Sequence, residues 1–205
     1  MLFYIIRHGE TNSNLTGLLQ GWNDTPLNEN GLKLAMITGR ELQGVKFDHC
    51  ISSPLIRAKK TAELILEGSG NDLPIETDDR LKEIDFGDYE LRDRRSKEFE
   101  LFFSNPFQCP QFPNGESVQM VMSRTQECLK ELIKRDDDKT YLISTHGCAL
   151  RAMLNFLYEN RDDYWQGHVP YNCCVNIVEA KDGAARLVEK DKVYYPGDLV
   201  VDRYR

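Results

Sequence analysis

Residues 2–6, Leu-Phe-Tyr-Ile-Ile, are an unbroken apolar run of aromatic and β-branched side chains that stops abruptly at Arg7-His8-Gly9-Glu10. Such a run predicts a strand buried on both faces, and strands of that kind belong to parallel sheets covered by helices. Residues 141–145, Tyr-Leu-Ile-Ser-Thr, repeat the pattern and run straight into His146-Gly147. Two strands that each end in His-Gly place two imidazoles at one carboxyl edge of a sheet, the edge where α/β folds bind ligands. Gly9 reads as the residue that lets the chain turn sharply out of the first strand. One histidine is an ordinary structural residue. Two in matched junctions, one of them beside an arginine, read as a site.

Between and beyond these junctions, apolar residues recur at helical spacing. Residues 8–28 read as a polar loop, and residues 31–43 as a helix with Leu32, Ala35, Met36, Gly39 and Leu42 inward and Asn28 or Asn30 near its cap. Residues 48–52 read as a second strand. Pro54 then opens a helix whose stripe is Leu55, Ala58, Ala62, Ile65 and Leu66. A short strand is expected at 74–77 and a helix at 96–103, before Pro106, Pro110 and Pro113 forbid regular structure. The clearest helix spans 116–135, with Val118, Val121, Met122, Thr125, Cys128, Leu129, Leu132 and Ile133 on one stripe. After the strand at 140–145 a helix at 147–158 is expected, and then a hairpin joining 174–179 to 185–188 through Lys181-Asp182-Gly183-Ala184. Strands alternating with amphipathic helices predict a three-layer α/β/α sandwich with a mostly parallel sheet and the hairpin at its edge. No internal repeat or linker divides the chain, so residues 1–205 are expected to form one domain, with about 88–114 as a lid or cap.

The net charge of −7 argues against nucleic acid as a partner, because phosphate backbones are held by fields of lysine and arginine. It leaves room for a small phosphorylated substrate in a pocket made positive by a few converging arginines. Residues 2–6 are too short for a signal-peptide core, and no apolar run approaches a membrane span. Cysteines 50, 109, 128, 148, 173 and 174 have no Cys-x-x-Cys or zinc-type spacing, and read as reduced thiols of a cytoplasmic protein. Oligomeric state is not legible.

A histidine beside an arginine at a strand end can bind a metal or attack an electrophile. Arg7 weighs against the metal, since a fixed cation repels another, and no His-x-x-x-His spacing occurs. An anionic electrophile, a phosphomonoester, fits instead. Arg57 lies in the first turn of its expected helix, where unpaired backbone N–H groups already favour anions. The alternative for Arg57 is a surface ion pair. Other phosphate motifs fail on context. Cys50 and Arg57 miss the cysteine-phosphatase spacing by one residue. Gly68-Ser69-Gly70 follows no strand, and the Asp-x-Asp-x-Thr pattern at 136–140 precedes a strand where it should follow one.

The pentapeptide Arg7-His8-Gly9-Glu10-Thr11 resembles the signature of the histidine phosphatase superfamily, which includes the cofactor-dependent phosphoglycerate mutases. The resemblance extends in order through Asn14, Gly21, Pro26-Leu27, Ser52 to Ala58, Glu83 with Phe86-Gly87, Gly115-Glu116-Ser117 and His146-Gly147, covering roughly residues 2–160. It implies that His8 is the nucleophile, that Arg7 and Arg57 clamp phosphate oxygens, and that His146 stabilises the transition state. It further implies that Glu83 is the general acid and then base, with Asn14, Gln20 and Gly21 touching phosphate, and with neither metal nor cofactor. Glu10 reads as structural. The family's mutases typically carry Glu-Arg-x-Tyr-Gly and a later Gly-x-Asn-Lys stretch. This chain has Glu83-Ile84-Asp85-Phe86-Gly87-Asp88-Tyr89-Glu90 instead. Hydrolysis of small phosphomonoesters through a phosphohistidine is therefore expected, with a mutase as the alternative and a non-catalytic phospho-ligand-binding protein as a second one. Arg92, Arg94 and Arg95 read either as a second anion site or as a solvated face.

Overall fold

The computed structural model describes residues 1–135 and 137–200. Asp136, the first residue of the 136–140 pattern, lies outside them. Six strands, β1 (Leu2–Arg7), β2 (His49–Ser52), β3 (Ile75–Thr77), β4 (Thr140–Thr145), β5 (Val175–Lys181) and β6 (Ala184–Lys192), form one sheet in the order β3-β2-β4-β1-β5-β6. The first four pair in parallel and the last two add antiparallel at one edge. The fold is thus the mostly parallel α/β sandwich expected from the alternation of strands and helices.

Among the described residues six α-helices accompany the sheet: α1 (Asn12–Thr16), α2 (Glu29–Glu41), α3 (Ile56–Ser69), α4 (Glu100–Ser104), α5 (Val118–Ile133) and α6 (Gly147–Leu154). The pleat of β1 explains the layers, because alternate side chains point to opposite faces. Phe3 and Ile5 join a core with Leu129, Leu132, Leu150 and Met153 of α5 and α6. Ile6 and the partly buried Tyr4 join a second core with Ala62, Ile65 and Leu66 of α3. The run Leu2–Ile6 of β1 can be apolar throughout because both faces of the strand are covered.

The β5–β6 turn places Asp182 and Gly183 at φ 52° and 75°, the doubly left-handed conformation of a type I′ turn. Asn28 caps α2 by accepting the Gly31 N–H at 2.8 Å, and Ser117 caps α5.

Several boundaries differ from the sequence expectation, each for a local reason. The segment at 8–28 holds the short helix α1, whose capping box pairs Thr11 and Asn14. Helix α3 begins at Ile56 rather than Pro54, because Leu55 is extended and its N–H bonds to Ser53 Oγ at 3.3 Å. The helix expected at 96–103 is a 3₁₀ turn at Lys97–Phe99 followed by α4, and α6 tightens into a 3₁₀ turn after Leu154. Gly9 is required by a close approach rather than by a special turn. A Cβ on it would come within 2.6 Å of the Gly31 carbonyl oxygen, where the strand exit packs on α2. Residues 88–114 contribute Phe99, Phe102 and Phe112 to a third core with Phe86, Val118 and Ala149.

Candidate active site

Sheet register brings the two histidine junctions together. Arg7 lies opposite Thr145 in the β1–β4 pair, and the His8 N–H donates to the Thr145 carbonyl at 2.9 Å. His8 and His146 therefore leave adjacent strands side by side, with ring centroids 5.1 Å apart and planes tilted by 58°. On the other side of β4, Ser52 lies opposite Ser144, which sets Ser53 Oγ 2.8 Å from His146 Nε2.

His8 Nδ1 is 2.7 Å from the Gly9 carbonyl oxygen. A carbonyl only accepts, so in the neutral ring Nδ1 holds the proton and Nε2 keeps a lone pair. Burial, then the charges of Arg57 and Arg7, hold this imidazole well below its ordinary pKa, outweighing the Gly9 bond. His146 is pushed down in the same way by burial and by Arg57, His8, Arg124 and Arg7. Its Nδ1 is buried without a hydrogen-bond partner among the described residues. The main chain of the first junction is pinned from outside the sheet, since Cys173 N–H reaches the Arg7 carbonyl at 3.0 Å and Asn172 Nδ2 the His8 carbonyl at 3.0 Å.

Both arginines are buried. Arg7 donates to the Pro170 carbonyl. Arg57 donates to the Asn23 and Gly21 carbonyls at 2.9 and 2.8 Å, while its Nε has no partner among the described residues. Arg57 is thus not in a surface ion pair. Burial pulls its pKa down to about 10, against the opposing pull of Glu83, Asp24 and Glu90.

Glu83 sits over the N-terminus of α6, where its carboxylate accepts the Ala149, Ile84 and Cys148 N–H groups at 3.0, 3.1 and 3.2 Å. The loop carrying it is held from behind by Arg124. This guanidinium grips Glu116 and also donates to the carbonyls of Arg80, Lys82 and Glu83. Glu10 accepts from Asn28 Nδ2 at 2.9 Å and Asn30 Nδ2 at 3.2 Å, tying the strand exit to the start of α2.

One small cavity, about 40 Å³, is lined by Arg7, His8, Asn14, Gln20, Gly21, Arg57 and Glu83 together with an apolar wall. Every site residue expected from the sequence lines it except His146, which lies behind His8 with no exposed surface. Asn14 Oδ1 is engaged by the Thr11 N–H, and Gln20 Oε1 by the Thr11 hydroxyl. Arg92 and Arg95 are apart from this cavity, in exposed pairs with Glu98 and Asp93. Among the described residues no cluster of three or more His, Cys, Asp or Glu could hold a metal ion.

Sequence reasoning missed Arg124, Asn172 and the hydroxyl of Ser53, whose partners are far away in the chain. It also missed the aromatic wall of Phe102, Phe103 and Trp165. The density of phenylalanine at 99–107 was the available signal for that wall.

A mostly parallel sheet and the start of α3 thus gather two buried imidazoles and two buried arginines at one carboxyl edge, with His8, Arg7 and Arg57 lining one pocket. Residues 3–192 match the histidine phosphatase superfamily, branch 1, and the chain belongs to that family. It is 35% identical over 167 residues to the 2,3-bisphosphoglycerate-dependent phosphoglycerate mutase of Methylobacterium sp. strain 4-46, covering 76% of this chain and 80% of that protein. Among solved structures, YhfR of Bacillus stearothermophilus superposes with a TM-score of 0.84 at 32% identity, covering 94% of this chain and 97% of that one. A phosphoserine phosphatase of Entamoeba histolytica, solved in complex with phosphoserine, superposes at 0.78 with 28% identity over 92% and 95% of the chains.

Proposed function

We propose that this protein hydrolyses small phosphomonoesters through a covalent phosphohistidine on His8, without a metal ion. The observation that carries this reading is the fixed tautomer of His8. Its Nδ1–H is held by the Gly9 carbonyl, so a lone pair sits on Nε2 in a ring that burial and two arginines keep neutral.

In the first step Nε2 forms a bond to phosphorus as the ester P–O bond breaks, and the leaving alkoxide takes a proton from the Glu83 carboxyl. In the second, Glu83 removes a proton from water, whose oxygen attacks phosphorus. The P–N bond breaks, inorganic phosphate leaves, and neutral His8 is restored. Arg7 and Arg57 neutralise the equatorial oxygens, for which a planar fork of donors is suited. With the Ser53 hydroxyl donating to His146 Nε2, the His146 ring proton sits on Nδ1, the buried nitrogen without a partner among the described residues. A phosphate on His8 would satisfy that donor and Arg57 Nε together. Residues 88–114 serve as the cap of the site, within one domain, and the six buried free thiols fit a reducing cytoplasm.

The second reading is a mutase, favoured by the likeness to the Methylobacterium protein. It shares the first step but returns the phosphoryl group to another hydroxyl instead of to water. Phosphate release from an ester panel, set against isomerisation of 3-phosphoglycerate, separates the two. Faster isomerisation than hydrolysis overturns the proposal.

A further inference from the structure

The far side of the pocket carries information that the phosphate-binding floor does not. Arg7 and Arg57 are the cationic side chains lining it among the described residues, and both stand at the His8 end. Away from that end the wall is apolar. Leu18, Phe103, Trp165 and Val169 are half-buried, so each still offers surface to a ligand. Behind them Phe102 is almost wholly buried against Phe86 and Phe112.

This wall is preformed. Phe103 stacks on Trp165 with centroids 5.8 Å apart and planes 26° from parallel, and Trp165 Nε1 donates to the Phe102 carbonyl at 3.3 Å. Leu19 is clamped to 91–92 by two backbone bonds, from its own N–H to the Arg92 carbonyl and from the Leu91 N–H to its carbonyl. A rigid aromatic surface gains from apolar contact without an ordering cost. The cleft bearing Arg94, Arg95 and Lys97 shares only Phe103 with this pocket.

We infer that the site selects phosphomonoesters whose alcohol is apolar, alkyl or aryl, and discriminates against esters with a carboxylate beside the phosphate. The inference rests on the reading of the floor as the phosphate site. Once phosphate occupies both arginines, no further cation lines the pocket among the described residues, and a substrate carboxylate against Leu18, Phe103, Trp165 and Val169 would lose its water without a counter-charge. An alkyl or phenyl group would bury itself there instead.

Alkyl phosphonates test binding independently of turnover. Calorimetric titration should show affinity rising from ethyl- to hexylphosphonate by about fourfold per methylene at full burial, and at least roughly tenfold overall. Phe103→Ala and Trp165→Ala should each flatten that rise. Alkyl phosphates, whose leaving groups are nearly equal in basicity, should give the same slope in kcat/KM and exceed 3-phosphoglycerate and phosphoserine. Equal affinity across the series, or tighter binding of carboxylated ligands, would overturn the inference. A slope that persists in His8→Ala turnover would overturn the phosphohistidine reading and leave the substrate class standing.

Discussion

Arg124 and Glu116 form a two-pronged ion pair, Nε to Oε1 at 2.8 Å and Nη2 to Oε2 at 2.7 Å, and neither residue lines the pocket that holds His8. Through the same guanidinium, three carbonyls of the segment bearing Glu83 are tied to α5. Glu116 Oε2 also accepts the Asp85 N–H at 3.1 Å, fixing the far side of Glu83. The pair is a clamp on Glu83, the proposed general acid.

Arg124→Ala should therefore hurt protonation of the leaving group rather than attack by His8. A loss of about a hundredfold in kcat for alkyl phosphates is expected, the size of a displaced acid catalyst. Aryl phosphates, which leave without protonation, should lose far less. Glu116→Gln, which keeps shape and most hydrogen bonds, should show the same alkyl–aryl split in milder form. Equal loss on both ester classes would mean that the clamp serves only stability.

His8→Ala should abolish turnover and leave the fold intact, since its ring lies at the sheet edge and not in any of the apolar cores. Rapid quench of the wild-type protein with labelled ester should trap a phosphoenzyme that is acid-labile and base-stable, as a phosphoramidate is. The variant should trap none. An acid-stable, base-labile adduct would point to a carboxylate nucleophile.

Two imidazoles held below their ordinary value make the protein acid-sensitive in a defined window. Once unfolded, His8 and His146 take up protons near pH 6.5, whereas the folded chain resists until lower pH. Below pH 6.5 the unfolded state thus binds more protons, and stability falls by up to about 1.4 kcal/mol per pH unit for each ring. It is fully present above that pH. Melting temperature should be flat from pH 7.5 to 6.5 and drop below it, with a shallower drop in His146→Gln. The acid limb of kcat/KM should also lie below 6.5, because neutral His8 is the proposed nucleophile. A limb above 6.5 would contradict the assignment.

Asp191 supports Arg7 from a distance. Its carboxylate pairs with the fully buried Arg151 at 2.7 Å, and Arg151 holds the His168 carbonyl at 3.0 Å, two residues before the Pro170 carbonyl that receives Arg7. Asp191 sits at φ 51°, a conformation that Asn also tolerates. Asp191→Asn should thus remove the charge alone, costing about 3–5 kcal/mol of stability through the stranded guanidinium. It should also raise KM more than it lowers kcat. Chemical denaturation and steady-state kinetics on one preparation read both effects.

Chelation should not touch the reaction. In the proposed reaction Arg7 and Arg57, which line the pocket, supply the positive charge that phosphoryl transfer needs. Prolonged dialysis against EDTA should leave kcat unchanged, and recovery of a lost rate by added divalent cation would refute the proposed chemistry.

The sequence by itself determined the layered fold, because apolar runs at 2–6 and 141–145 can only be strands covered on both faces, and the stripe from Val118 to Ile133 can only be a helix laid on one of them. It also singled out Arg7, His8 and Arg57, which line one pocket, since their places at a strand end and a helix start are local properties of the chain. What surrounds those residues was decided by tertiary structure. Register between β1 and β4 sets the distance between the imidazoles, and no local pattern encodes register across 138 intervening residues, from Arg7 to His146. Arg57 finds the carbonyls of Gly21 and Asn23, not a surface carboxylate, because α3 docks there. His146 lies behind His8 rather than in the open cavity because Ser53, delivered by β2, holds its ring. The apolar mouth exists only where residues 18–19, 102–103 and 165–169 meet. Each piece reads as ordinary loop or cap alone, and contact between distant segments is what turns apolar side chains into a wall with a preference.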